Sequence, residues 1–215
     1  MNRPGSVLIT GASTGIGRAT ALHLDQRGWN VHAGVRKESD GELLRKDASD
    51  RLRTLYLDVT DQDSIEGAIS AIREGGSGLD ALVNNAGISV NGPLEFIQLS
   101  EVRRMFDVNF FGLVAMTQAA LPLIRETTGR IVHIGSMGGR HALPLIGAYC
   151  ATKHAIEAIG EAQRRVHVGR RADRELGLGP VGRIRERDQH APDRRSRSRR
   201  RRQPRVLRHR RGRRI

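Results

Sequence analysis

Short apolar runs alternate with stretches of helical spacing up to about Gln163. Ser6–Thr10 predicts a first strand that runs into the glycine-rich Gly11–Gly17. Ile16–Gly28 follows with helical spacing at Ala19, Ala21 and Leu22, and Gly28 suits the C-terminal cap. Asn30–Val35 predicts a second strand and Leu55–Val59 a third. Asp61–Ile72 has the pattern of a helix with Asp61 as its N-cap. Leu79–Asn84 reads as a fourth strand. Ser100–Ile124 reads as a long helix, capped by Ser100 and with Pro122 near its end. Arg130–Ile134 is a fifth strand and Ala148–Gln163 a further helix. Strands that alternate with helices imply βαβ units and a parallel sheet. With right-handed crossovers the expected fold class is α/β, a Rossmann-like doubly wound parallel sheet.

After Gln163 the rhythm stops, and composition explains why. The chain of 215 residues carries 37 Lys and Arg against 23 Asp and Glu, a net charge of +14. Residues 161–215 hold 21 arginines, no lysine and 6 acids, whereas residues 1–160 hold 16 bases and 17 acids. Apolar residues in the second stretch come singly between arginines. Arg194–Arg202 cannot enter a core without unpaired buried charge. The expected organisation is a domain over residues 1–163 and an Arg-rich, disordered tail over 164–215.

One cysteine, Cys150, cannot form an internal disulfide, which excludes a disulfide-stapled secreted domain and favours a reducing cytoplasm. Val108–Ile124 contains Asn109, Thr117, Gln118 and Pro122, and reads as too short and too polar to span a membrane. Val7–Thr10 is far shorter than the apolar region of a signal peptide. A soluble cytoplasmic protein with no membrane partner is expected.

The chemistry-bearing residues cluster at strand ends. Gly11, Ser13, Gly15, Ile16 and Gly17 sit between the first strand and first helix, where free N–H groups and a partial positive charge suit a pyrophosphate. Taken alone, this is also an ordinary glycine-rich turn. Four further elements follow in order: Leu57-Asp58-Val59, Asn84-Asn85-Ala86-Gly87, Asn109 in Val-Asn-Phe-Phe-Gly, and Ser136 followed by Tyr149-Cys150-Ala151-Thr152-Lys153. Together with the Thr-Gly-x-x-x-Gly-Ile-Gly spacing, and with gaps of 27 from Asn109 to Ser136 and 13 from Ser136 to Tyr149, residues 6 to about 163 resemble the short-chain dehydrogenase/reductase family.

The resemblance implies that Asp58 and Val59 flank an adenine and that Asn85, Ala86 and Gly87 lie under the adenosine ribose. It implies a small-molecule alcohol or ketone substrate, and self-association through the helices starting near Ser100 and Ala148. Cofactor choice is legible at the end of the second strand, where an acid reads a ribose 2′-hydroxyl and an Arg a 2′-phosphate. Val31–Lys37 has no acid and ends in Arg36 and Lys37, which favours NADP(H) over NAD(H). Thr14 departs from the pattern, since relatives that prefer NADP often carry a base before this second glycine.

Tyr149 and Lys153 are four residues apart and share one helix face. Bringing a phenol from about pH 10 to about 7 takes roughly 4 kcal/mol. A cation at about 4 Å with an effective dielectric near 20 supplies about that much. Lys153 therefore makes Tyr149 a usable general acid/base, with Lys153 also on the cofactor by resemblance. Ser136 would hydrogen-bond the substrate oxygen. By resemblance Asn109 would hold a water that relays protons to Lys153. Cys150 reads as a packing residue, and His133 and His141 lack metal-ligand spacing.

Family members continue with a sixth strand, a Pro-Gly turn and a seventh strand. None is recognisable here, and Gly179-Pro180 has the reverse order. Arginine without lysine is what a shifted reading frame of a GC-rich gene would encode. Two other readings therefore stand beside a hydride-transferring oxidoreductase. One is a cofactor-binding chain without catalysis. The other is non-specific phosphate binding by the Arg-rich tail, which has no aromatic residue to stack on bases.

Overall fold

The computed structural model describes residues 4–76 and 78–167. The expectations for the Arg-rich stretch beyond His167 lie outside the described residues.

Five parallel strands form one sheet in the order β3-β2-β1-β4-β5. They are β1 (Ser6–Ile9), β2 (Asn30–Val35), β3 (Leu52–Tyr56), β4 (Ala81–Asn84) and β5 (Arg130–His133). The helices are α1 (Gly15–Gln26), α2 (Glu38–Arg45), α3 (Gln62–Glu74), α4 (Leu99–Phe106), α5 (Gly112–Glu126) and α6 (Gly147–His167). The strand order reverses between β1 and β4, and in such sheets ligands bind in the crevice beyond the strand ends at that switch.

Both sheet faces are covered, as a parallel sheet requires. Leu8 and Leu82 point to one face and pack with Ile65, Ile72, Met116 and Leu123 from α3 and α5. Their neighbours Val7, Ile9, Ala81 and Val83 point to the other, with Ala21 of α1 and Leu44 of α2. The period-2 alternation of these strands thus splits the core into two layers.

Several boundaries differ from those expected. The third strand begins at Leu52 and ends at Tyr56 instead of spanning Leu55–Val59. As a sheet edge it tolerates the exposed Arg53 within its ladder, where Leu52 pairs with Val31. Leu57 donates one last bond to Val35, and Asp58 and Val59 then leave the sheet. Helix α2 is an element that hydrophobic periodicity missed, because it buries only Gly41 and Leu44. Ser100 is not the cap of α4. The helix starts at Leu99, after Gln98, whose side chain makes no capping bond. Asp61 does cap α3, accepting from the Asp63 amide, and Gly28 closes α1 with φ of 83°. Helix α6 continues one turn past Gln163.

The long apolar helix is interrupted by a π turn at Asp107–Phe111. Leu99–Glu126 makes 28 helical residues, within which an 18-residue window reaches a mean hydropathy of 1.3, long and apolar enough by length and composition to cross a membrane. Core helices of soluble proteins share this length and composition. The inner side of Leu99–Glu126, with Met105, Leu113, Met116 and Leu123, is buried in the core.

Candidate active site

The loop after β1 and the chain after β4 are stitched together at the switch point. Asn85 donates from Nδ2 to the carbonyls of Thr10 (2.9 Å) and Gly11 (3.0 Å). Thr10 Oγ1 in turn accepts from the amides of Asn85 (3.0 Å) and Ala86 (2.9 Å). The packing leaves no room for side chains. A Cβ on Gly17 would lie 2.3 Å from the Gly11 carbonyl oxygen, and one on Gly11, at φ of 63°, would lie 2.9 Å from Ala86 Cα. On the outer side a Cβ at Gly15 would meet nothing within 4 Å, and Ile16 is exposed. The first turn of α1 therefore presents amides without helical partners to open space. Thr14 makes no side-chain cap that would occupy them. Ser13 lies half-buried in the same turn. The cradle fits a pyrophosphate.

Arg36, Asp58 and Val59 line one open cavity of about 430 Å³ with Thr60, Arg104 and Val108. Burial raises the Asp58 carboxyl. Two hydrogen bonds from Thr60 (2.9 and 2.7 Å) and the nearby Arg36 guanidinium outweigh it and hold Asp58 below the usual range. Val59 packs closely on α5, where a Cβ on Gly112 would lie 2.7 Å from its Cγ2.

Tyr149 and Lys153 stand on successive turns at the start of α6. Lys153 is 6% exposed, and its Nζ donates to the Ile134 carbonyl at 2.8 Å. The same nitrogen lies 5.8 Å from the Tyr149 ring centroid. Burial holds the Lys153 ammonium below the usual lysine range. Ser136 caps a 3-10 turn at Met137–Gly139, its Oγ accepting from the Gly138 amide at 3.1 Å. This turn brings Ser136 to Tyr149. A Cβ on Gly138 would lie 3.5 Å from both Ser136 Oγ and Tyr149 Cε1, and 3.2 Å from Cys150 Sγ.

Asn109 is fully buried in the π turn. Its Oδ1 accepts from the Ile88 amide (2.8 Å), and its Nδ2 donates to the Ile88 carbonyl (2.9 Å) and to Thr152 Oγ1 (3.0 Å). The side-chain amide is thus spent on Ile88 and Thr152, while Gly87 lies close beneath it. Sequence reasoning missed Thr152. Its only signal was a small polar residue beside Lys153, and nothing local tied it to Asn109.

A doubly wound parallel sheet with a glycine loop at its switch point is a Rossmann-like architecture. A family model for short chain dehydrogenases matches residues 6–168, and the chain belongs to that family. Retinol dehydrogenase 7 of Rattus norvegicus is 44% identical over 162 residues, 74% of this chain and 51% of that protein. The chain spans about half the length of the curated relatives it matches. Among solved structures, a short-chain dehydrogenase from Streptomyces avermitilis has a TM-score of 0.72 and 34% identity, covering 76% of this chain and 60% of that one. ElxO with NADP bound has a TM-score of 0.70 and 31% identity, covering 75% and 68%.

Proposed function

We propose that the chain is an NAD(P)-dependent oxidoreductase that interconverts a small-molecule alcohol and its carbonyl by hydride transfer. The observation that carries this reading is the grouping of Lys153, Tyr149 and Ser136 at the start of α6. When bound, the nicotinamide supplies or accepts the hydride. Gly11, Ser13, Gly15, Ile16 and Gly17 would hold the pyrophosphate. Asp58 and Val59 would flank the adenine, with Asn85, Ala86 and Gly87 under its ribose. Arg36 would meet a 2′-phosphate, so NADP(H) is favoured over NAD(H).

In the oxidative direction Tyr149 takes the hydroxyl proton as the carbinol hydrogen leaves with its electron pair. The Lys153 ammonium stabilises the phenolate form in which Tyr149 accepts that proton, and the phenol is neutral once the proton has moved. Ser136 donates a hydrogen bond to the substrate oxygen. With its amide spent, Asn109 would hold a relay water through its main-chain carbonyl. The single Cys150, with no second cysteine to pair with, suits a cytoplasmic setting, and exposed Leu99 and Phe111 support self-association.

A panel of alcohols with NADP+, followed at the nicotinamide absorbance, tests the reading. Turnover that depends on Tyr149 supports it, and turnover indifferent to Tyr149 overturns it. A second reading, cofactor binding without turnover, is favoured by β5. Among the described residues nothing pairs its outer edge, and Val132 is 41% exposed. NADPH binding with no turnover on any ketone would single it out.

A further inference from the structure

We propose that Thr152 is a positioning residue that locks the helix turn carrying Tyr149 and Lys153 onto the turn carrying Asn109. The proposal rests on the reading of Tyr149 as the proton-transfer group. Thr152 is fully buried one residue before Lys153. Three residues beyond Tyr149 on a helix, its hydroxyl reaches back and donates to the Tyr149 carbonyl at 2.7 Å. The same oxygen accepts from Asn109 Nδ2 at 3.0 Å.

A chain of directed bonds results. The Asn109 amide donates to the Thr152 hydroxyl, which donates to the Tyr149 carbonyl, while Asn109 also grips both main-chain groups of Ile88. Three segments far apart in sequence are joined: the loop after β4, the π turn and the first turn of α6. Bonds arranged head to tail polarise one another and strengthen. Nothing in the chain is spare. A threonine has one hydroxyl proton, and Asn109 has two N–H groups, all used. Without the hydroxyl, one Asn109 N–H is left buried and unpaired, and the α6 turn loses its link to the π turn. The Tyr149 oxygen must meet a substrate oxygen that Ser136 also holds, so a small rotation of this turn separates the two.

Thr152→Val keeps the shape and removes the hydroxyl, and Thr152→Ser keeps the hydroxyl. In Thr152→Val the full chain should lose kcat by about ten- to a hundredfold, the scale of a roughly 1 Å misplacement, with KM for the cofactor little changed. The pH profile of kcat/KM should move, because Tyr149 and Lys153 no longer keep their spacing. Thr152→Ser should restore both. Wild-type kcat with an unmoved profile in Thr152→Val overturns the proposal, as does a loss that Ser does not restore. Failure of the underlying reading looks different, as full turnover in Tyr149→Phe. If the wild-type chain turns nothing over, amide exchange decides. Segments 86–90, 107–111 and 149–153 should lose protection together in Thr152→Val and regain it in Thr152→Ser, with α1 unmoved. Unchanged exchange in those segments overturns the proposal.

Discussion

Lys153 holds its ammonium nitrogen 5.8 Å from the centroid of the Tyr149 ring while donating to the Ile134 carbonyl at the end of β5. The helix supplies the spacing, and the sheet supplies the anchor. A lysine on a free helix would point its charge into water, whereas this one is tethered beside the phenol at the price of desolvation.

Removing the phenol hydroxyl tests the chemistry with little disturbance of packing. Tyr149→Phe should keep cofactor binding and lower turnover about a hundred- to ten-thousandfold, the range of general acid–base catalysis. Lys153→Ala should lower turnover and weaken cofactor binding together. Steady-state kinetics and a fluorescence titration with NADPH separate the two effects.

Arg36 stands exposed beside Asp58 at the mouth of the cavity. NADPH should bind more tightly than NADH, and Arg36→Ala should remove most of that difference. An Arg36→Ala variant that keeps the preference would remove Arg36 from the assignment.

His32 is buried in β2, and its Nε2 has no hydrogen-bond partner. Burial, helped by the Arg53 charge, lowers its pKa from 6.5 to about 4. In the unfolded chain His32 takes up a proton near pH 6.5, but in the folded chain only near 4. The unfolded state therefore binds more protons between those values. Stability should be full above pH 6.5 and fall by roughly 3 kcal/mol as pH drops towards 4. Urea unfolding at several pH values checks this, and His32→Leu should show a shallower fall than wild type.

Gly17→Ala places a methyl against the Gly11 main-chain carbonyl and against Asn85 Nδ2, a side-chain end held in place by its bonds to the Thr10 and Gly11 carbonyls. A destabilisation of about 1–3 kcal/mol is expected, with cofactor binding weakened. Gly67→Ala in α3, where a Cβ meets nothing within 4 Å, should instead stabilise by about 0.5–1 kcal/mol. Thermal denaturation of both variants is the comparison. Equal melting shifts would show that the close approach at Gly17 is relaxed in solution.

The alternation of Ser6–Ile9, Asn30–Val35, Ala81–Asn84 and Arg130–His133 with helical stretches was legible in sequence, because period and turn chemistry are set by neighbours along the chain. So were the glycine loop and the Tyr149–Lys153 spacing, since four residues on a helix share a face. Helix α2 and the start of β3 at Leu52 were not legible. One buries little, and the other is an edge strand whose ladder accepts Arg53 through its main chain. The π turn within Leu99–Glu126 breaks no hydrophobic pattern and so left no mark. The meeting of Asn109 with Thr152, 43 residues away, and of Ser136 with Tyr149 was decided by tertiary structure alone. Both groupings exist because α6 packs against the π turn and against the 3-10 turn that follows β5. Hydrogen bonds between distant segments form only after the sheet has brought their strands into register.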